Sequence, residues 1–89
     1  MIVVIGSLLI ERGHRDHVIE LSSPAVAAAR EQGECLHFSV SPDSLDADRV
    51  NIGEVWATVE SLDAFRHEGP SSSMNDLIVG AEVTQYVTT

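Results

Sequence analysis

The sequence predicts an α+β fold with the element order β-α-β-β-α-β. Three observations support this prediction: an apolar run near the start, two stretches with helical spacing, and later stretches in which apolar and polar residues alternate. This order is that of the ferredoxin-like arrangement, an antiparallel sheet with strands 1 and 3 in its centre and both helices on one face. A length of 89 residues predicts a single domain over residues 1–89.

The first half of the chain begins with a buried strand and continues into a helix. From Ile2 to Ile10 nearly all residues are apolar, which is typical of a central strand covered on both faces. From Asp16 to Gln32 apolar residues recur at intervals of three and four, which predicts a helix with one buried face. Pro24 either kinks this helix or begins a second one. We favour one kinked helix, because the apolar stripe continues on both sides of Pro24.

The middle of the chain predicts two strands joined by a loop. Alternation from Cys35 to Ser41 indicates a half-buried strand. Its faces should carry Leu36, Phe38 and Val40 on one side and Cys35, His37 and Ser39 on the other. Residues 42–48 are acidic and rich in turn formers, and Arg49 to Ala57 follows as the third strand.

The last third of the chain predicts a second helix and a fourth strand. Thr58 is a suitable N-cap for a helix from Val59 to about Glu68. Residues 69–73 break the pattern, a further helical turn is expected from Met74 to Ile78, and alternation predicts a strand from Val79 to Thr88. Two helices cover only one face of the sheet, so apolar residues on the other face favour sheet-to-sheet dimerisation.

Charge and composition exclude several classes of partner. The net charge is −9 with five arginines and no lysine, so neither nucleic acid nor an anionic membrane surface is expected as a partner, because both need a basic patch. No apolar run approaches the length of a membrane span, and no spacing of histidines and carboxylates indicates a metal site. The single cysteine, Cys35, rules out an internal disulfide and fits a cytoplasmic location.

Glu54 and Trp56 are the strongest candidates for a functional site. Strand alternation places Ile52, Glu54 and Trp56 on the face that the helices cover. Trp56 is either core packing or the wall of a pocket between the sheet and the second helix. A carboxylate on a covered face needs a partner. Arg66 or Arg30 could pair with Glu54, and without such a pair Glu54 could act as a base.

Histidines and aromatic residues complete the set of candidates. His67, near the end of the second helix, either interacts with the helix C-terminus or serves as a base or proton shuttle. The catalytic candidates are therefore Glu54, Trp56 and His67. The residues expected to bind a substrate are Ile52, Phe65, Phe38 and His37. The glycines form neither a dinucleotide-binding nor a P-loop pattern, so no nucleotide site is expected.

Four motifs, in this order, resemble the antibiotic biosynthesis monooxygenase family of dimeric α+β barrels. They are Gly13-His14-Arg15-Asp16 after the first strand, residues 29–38 from helix 1 into strand 2, Glu54-Val55-Trp56, and Ser61-Leu62-Asp63-Ala64-Phe65. The resemblance implies a homodimer whose two sheets form a barrel. It also implies oxidation of a quinol or aromatic polyketide by O2, with no cofactor, neither metal nor flavin.

In the mechanism that this resemblance implies, the substrate is itself the reductant. The protein deprotonates a phenol, the resulting anion passes an electron to oxygen, and the protein provides a dry cavity, a base and orientation. Many members carry a histidine where this chain has Phe65, and His67 would face about 200° away from that position around the helix. The haem-degrading branch uses an asparagine where this chain has Gly6-Ser7, so haem degradation is not expected.

These arguments lead to one expected function and two alternatives. We expect a cofactor-independent monooxygenase that oxidises an aromatic polyketide, an anthrone or a quinol-type small molecule with O2. The first alternative is a non-catalytic module for small-molecule binding or dimerisation, which the phenylalanine at position 65 favours. The second alternative is a cyclase or isomerase on the same scaffold, which needs a base but no oxygen.

Overall fold

The computed structural model describes residues 1–67 and 72–88 of the chain. Its strands are β1 (Ile2–Ile10), β2 (Cys35–Pro42), β3 (Arg49–Trp56) and β4 (Ile78–Val87). Its helices are α1 (Arg15–Glu31), α2 (Val59–His67) and α3 (Ser72–Asn75). Within these described ranges, no helix has both the length and the apolar character needed to cross a bilayer.

The four strands form one sheet in the order β2-β3-β1-β4. Every neighbouring pair is antiparallel. The predicted ferredoxin-like fold is therefore confirmed, with β1 and β3 in the centre of the sheet. β1 is hydrogen-bonded to a neighbour along both of its edges, as expected of a central strand. The prediction that β1 is covered on both faces is not met within one chain, because Ile5 and Leu9 on the face away from the helices are exposed.

The strand register decides which side chains the helices cover. Val4 of β1 pairs with Glu54 of β3, so these two side chains lie on the same face of the sheet. Val4 and Trp56 are buried together with Ala29 of α1 and Leu62 of α2. Glu54 and Trp56 consequently lie on the face that the helices cover, as strand alternation predicts.

Helix α1 continues through Pro24 as a single helix, as predicted. Proline has no N–H, so the carbonyl of Glu20 loses its helical hydrogen bond at this point. Beside this break, the hydroxyl of Ser22 donates to the carbonyl of Ile19 at 2.7 Å. Further along α1, Ala29 is fully buried in the core beneath the helix.

Strand β2 departs from the predicted alternation at its first residues. Cys35 pairs with Trp56 whereas His37 pairs with the adjacent Val55, so Leu36 is an extra residue in a β-bulge. The predicted division of the faces is therefore wrong at its start, because Cys35 pairs with Trp56 and so shares the covered face with Phe38, whereas Leu36 is 56% exposed. Cys35 packs against the core instead. Burial raises the pKa of its thiol above the usual value.

The segment before β4 is also shifted relative to the prediction. Of the predicted break at 69–73, residues 69–71 lie outside the described residues. Helix α3 begins at Ser72 and ends at Asn75, so the expected turn over Met74 to Ile78 starts earlier and Ile78 already belongs to β4. The backbone N–H of Leu77 donates to the carbonyl of Met74 at 3.1 Å and closes this turn.

Asp43 organises the acidic loop between β2 and β3. Its carboxylate accepts the Asn51 side-chain amide at 2.8 Å and the backbone N–H groups of Asp46 and Leu45 at 2.8 and 3.0 Å. These hydrogen bonds, the one from Asn51 foremost, lower the pKa of Asp43 to about 2. The Arg15 guanidinium ties the loop to α1 by donating to the carbonyl of Asp46 at 2.9 Å.

The face of the sheet away from the helices is partly apolar. Ile5 and Leu9 of β1 and Tyr86 of β4 lie on this face and are exposed. Val3 of β1 is half-buried beside Tyr86. This open face fits the expectation of sheet-to-sheet dimerisation, which stays a prediction.

The two ends of the described chain lie side by side, at the start of β1 and the end of β4. The amino group of Met1 donates to the carbonyl of Thr88 at 2.8 Å. The backbone N–H of Thr88 donates back to the carbonyl of Met1 at 2.8 Å. This exchange extends the pairing of β1 with β4 beyond the last assigned strand residues.

Candidate functional site

An apolar cavity of about 590 Å³ lies between the covered face of the sheet and the helices. From the sheet, its wall includes Leu8, Phe38, Val40, Val50, Ile52 and Glu54. From the helices, its wall includes Leu21, Pro24, Ala25, Ala28, Phe65 and Arg66. The volume lies within the range of about 300–1,000 Å³ that small-molecule sites occupy.

The cavity exists because the core of the protein is divided into two clusters. The first cluster contains Ile2, Val4, Ala29, Phe38, Trp56 and Leu62. The second contains Ile10, Val18 and Val50, with Leu8, Met74 and Ile78 packed against it. Between them, the wall formed by α1 includes the short side chains of Ala25 and Ala28, which leave part of the space unfilled.

Glu54 brings a carboxylate to the wall of this cavity. Its Oε1 accepts a hydrogen bond from Nε1 of Trp56 at 2.9 Å. Among the described residues the carboxylate forms no ion pair with either arginine that the sequence suggested. Arg66 donates to Oε1 of Gln85 at 3.1 Å, and Arg30 donates to the carbonyl of Phe38 at 3.1 Å. The indole N–H is therefore the partner that orients Glu54.

Trp56 is fully buried and does not line the cavity. Its ring lies 5.2 Å from the ring of Phe65, tilted by 37°, and 6.5 Å from that of Phe38, edge to face. These two phenylalanines do line the cavity, and their own rings are 5.5 Å apart. The structure therefore places the indole in the core behind the phenylalanines, where its N–H holds Glu54.

The residues predicted to bind a substrate divide into two places. Ile52, Phe38 and Phe65 line the cavity together with Glu54. His37 lies on the open face of the sheet, where its Nε2 is 3.0 Å from the hydroxyl of Ser39. The structure thus brings three of these four residues to one cavity and separates His37 from it.

His67 is the last residue of α2, and its side chain lies outside the described residues. Its assignment as a base or proton shuttle consequently stays a prediction. The helix itself begins with a cap, since the hydroxyl of Thr58 accepts the backbone N–H of Ser61 at 3.2 Å, as the sequence suggested.

Arg66 brings a positive charge to this cavity that the sequence does not predict there. The sequence suggests Arg66 as a partner for Glu54, whereas its side chain lines the cavity and donates to Gln85 of β4. The signal was present in the helical spacing. Leu62, Phe65 and Arg66 are related by three and four positions, which places them on one stripe of α2.

The fold and the cavity define the class of protein: a ferredoxin-like α+β protein with an apolar cavity between its sheet and its helices. The family model for antibiotic biosynthesis monooxygenase matches residues 1–74, and the chain belongs to this family. No curated protein matches the sequence.

Solved structures with the same fold span nearly the whole chain. One from Chloroflexus aurantiacus, provisionally described as an antibiotic biosynthesis monooxygenase, is 26% identical with a TM-score of 0.84, covering 99% of this chain and 92% of its own. A similarly described structure from Deinococcus radiodurans is 21% identical with a TM-score of 0.84, covering 100% and 93%. One from Nitrosomonas europaea is 13% identical with a TM-score of 0.85, covering 99% and 98%. The latter two similarities concern the fold alone.

Proposed function

We propose that this protein is a cofactor-independent monooxygenase that oxidises an aromatic polyketide, anthrone or quinol-type molecule with O2 in the cavity between sheet and helices. The observation that carries the proposal is the position of Glu54, a carboxylate on the wall of an otherwise largely apolar cavity. A flat aromatic ring fits such a space, because Phe38 and Phe65 offer aromatic surfaces to it. The family membership supports the same class of reaction.

In the proposed reaction, Glu54 takes the proton of a phenolic or enolic hydroxyl group. The resulting anion transfers one electron to O2, and the radical and superoxide combine to form a carbon–oxygen bond. Protonation of the peroxide and cleavage of its O–O bond release water and leave a new carbonyl group on the product. For an anthrone the balance is one substrate and one O2 to one quinone and one water. The indole N–H of Trp56 holds the carboxylate in place for the first step.

We propose further that the protein is a cytoplasmic homodimer in which the open faces of the two sheets meet in a barrel. The exposed apolar residues of that face, among them Ile5, Leu9 and Tyr86, would be covered in such a dimer. Sedimentation equilibrium at micromolar concentration should give twice the mass of 9.6 kDa. A monomer mass under these conditions would contradict the barrel arrangement.

Oxygen uptake across a panel of anthrones and hydroquinones tests the proposed activity. We expect one O2 consumed per substrate oxidised, and a rate lowered about 10²–10⁴-fold in Glu54→Gln, since this is the usual contribution of a general base. The glutamine amide oxygen can still accept the Trp56 N–H, so the variant should fold normally. Glu60→Gln, an exposed change in α2, is the matched control.

The outcomes of this experiment separate the candidate functions. Oxygen uptake that is equal in Glu54→Gln and in the natural chain would remove Glu54 as the base, and His67→Ala then tests the second candidate. Conversion of substrate without oxygen uptake would indicate a cyclase or isomerase. Binding without conversion of any compound would indicate a non-catalytic binding module.

A further inference from the structure

The polar groups of the cavity are concentrated at one end. Glu54 and Arg66 lie beside Phe38 and Phe65, whereas the other end is formed by the second core cluster. Along β3, Glu54 and Val50 are four residues apart, which corresponds to about 13 Å at about 3.4 Å per residue. The cavity therefore has a polar end and an apolar end that are separated by more than the length of one aromatic ring.

The middle of the cavity adds little polarity. Of the described lining residues, only Ser22 is polar apart from Glu54 and Arg66. Its hydroxyl donates to the carbonyl of Ile19 within α1 at 2.7 Å, so its proton is not directed at a ligand. At the apolar end, Leu8, Val18, Val50, Met74 and Ile78 provide only hydrocarbon and thioether surface.

The polar end can bind a hydroxyl-bearing ring from two sides. Glu54 of β3 and Gln85 of β4 are both register partners of Val4, so they lie in one row across the sheet. Gln85 holds the Arg66 guanidinium above that row, at 3.1 Å. A phenolic hydroxyl can donate to the Glu54 carboxylate, while a second ring oxygen accepts from the remaining guanidinium donors.

We propose that the substrate is an amphiphilic hydroquinone or phenol, with its hydroxyl groups on one ring and an uncharged apolar arm that occupies the rest of the span of about 13 Å between Glu54 and Val50. The ring occupies the polar end at Glu54 and Arg66, and the arm extends towards Leu8, Val18 and Ile78. This assignment rests on the proposed oxygenase function for the identity of the ring. Substrates that carry a charge at both ends are not expected to bind, because a charge buried within the second core cluster would lose its hydration and find no partner there.

Anaerobic calorimetric titration with hydroquinone, butylhydroquinone and hexylhydroquinone tests this assignment without turnover. Each methylene that becomes buried should lower the dissociation constant about threefold to fourfold, so hexylhydroquinone should bind about tenfold more tightly than butylhydroquinone. The hydroquinone with a butanoate arm should bind at least tenfold more weakly than its butyl analogue. Equal affinities across the series, or no binding by any member, would overturn the assignment.

Two variants with the same added charge locate the arm. Met74→Asp places a carboxylate at the apolar end and should abolish the gain from butyl to hexyl, whereas Asn75→Asp adds the charge to the exposed neighbour and should preserve it. Equal gains in both variants would contradict the assignment. If Met74→Asp does not fold, the ligand series on the natural chain decides.

The titration and the oxygen measurement test the substrate shape and the oxygenase function separately, so either proposal can be refuted without the other. Tighter binding of longer arms together with absent oxygen uptake would support the shape assigned to the ligand and refute the oxygenase function. Oxygen uptake together with equal affinities across the series would support the oxygenase function and refute the amphiphilic substrate.

Discussion

Filling the cavity from α1 should stabilise the protein and impair ligand binding at the same time. The double variant Ala25→Leu/Ala28→Leu places six additional carbon atoms at the cavity wall. Leucine and alanine have similar helix propensities, so the helix itself changes little. The opposite directions of the two effects distinguish a ligand site from a packing defect.

The magnitude follows from the area that the new side chains bury. At about 0.8 kcal/mol per buried carbon, six carbons set an upper limit near 5 kcal/mol. Because Ala25 and Ala28 are only partly buried and the leucines must adopt allowed rotamers, we expect about 2 kcal/mol. In a domain of this size the midpoint of thermal unfolding should rise by roughly 8–16 °C. A ligand that loses contact with two carbons should bind about tenfold more weakly.

Circular dichroism melting and anaerobic titration with hexylhydroquinone measure the two effects. Ala27→Leu is the matched control, since it makes the same exchange at an exposed position of α1. The control should leave the affinity unchanged. A lower melting temperature in the double variant would refute the presence of fillable space, and unchanged affinity would refute the cavity as the binding site.

Two further predictions concern the sheet and the acidic loop. A Cβ at Gly6 would collide with the carbonyl oxygen of Glu82. Gly6→Ala should therefore force β4 away from β1 and destabilise the fold by about 1–3 kcal/mol. Gly33→Ala is the control, because a Cβ at Gly33 would meet only open space. Equal unfolding midpoints in denaturant for the two variants would contradict this reasoning. Because the folded-state pKa of Asp43 is lowered to about 2, its carboxylate stabilises the fold above the unfolded pKa near 3.8, and this stabilisation is lost as the pH falls towards 2. The difference in unfolding free energy between the natural chain and Asp43→Asn, measured by denaturant titration, should therefore shrink between about pH 4 and pH 2. A difference that does not change over this interval would contradict a stabilising role of the Asp43 carboxylate.

The fold was predictable because its signals are carried by local patterns. The apolar run of β1, the stripe of α1 and the alternation along β3 each agree with the observed sheet order. Alternation also placed Glu54 and Trp56 on the correct face, because side-chain direction in a strand depends only on position.

The features that the sequence did not reveal depend on contacts between distant residues. The bulge at Leu36 is invisible in the alternation of β2 and appears only in its pairing with β3. The sequence suggests an arginine as the partner of Glu54, whereas the structure supplies the indole N–H of Trp56, two residues away. The cavity is a gap between two core clusters. The spacing of apolar residues in the sequence shows which side chains are buried, but it does not show where space between them stays unfilled.

The hydrogen-bonded pair of Met1 and Thr88 has a consequence for the architecture of the chain. A short linker between these ends would leave the sheet intact, and new ends could be opened beside Leu45, which is 96% exposed. The permuted chain would then run through β3, α2 and β4 before β1, α1 and β2. The two β-α-β halves are thus interchangeable in sequence order, which offers a route to attach a reporter domain at the exposed loop beside Leu45.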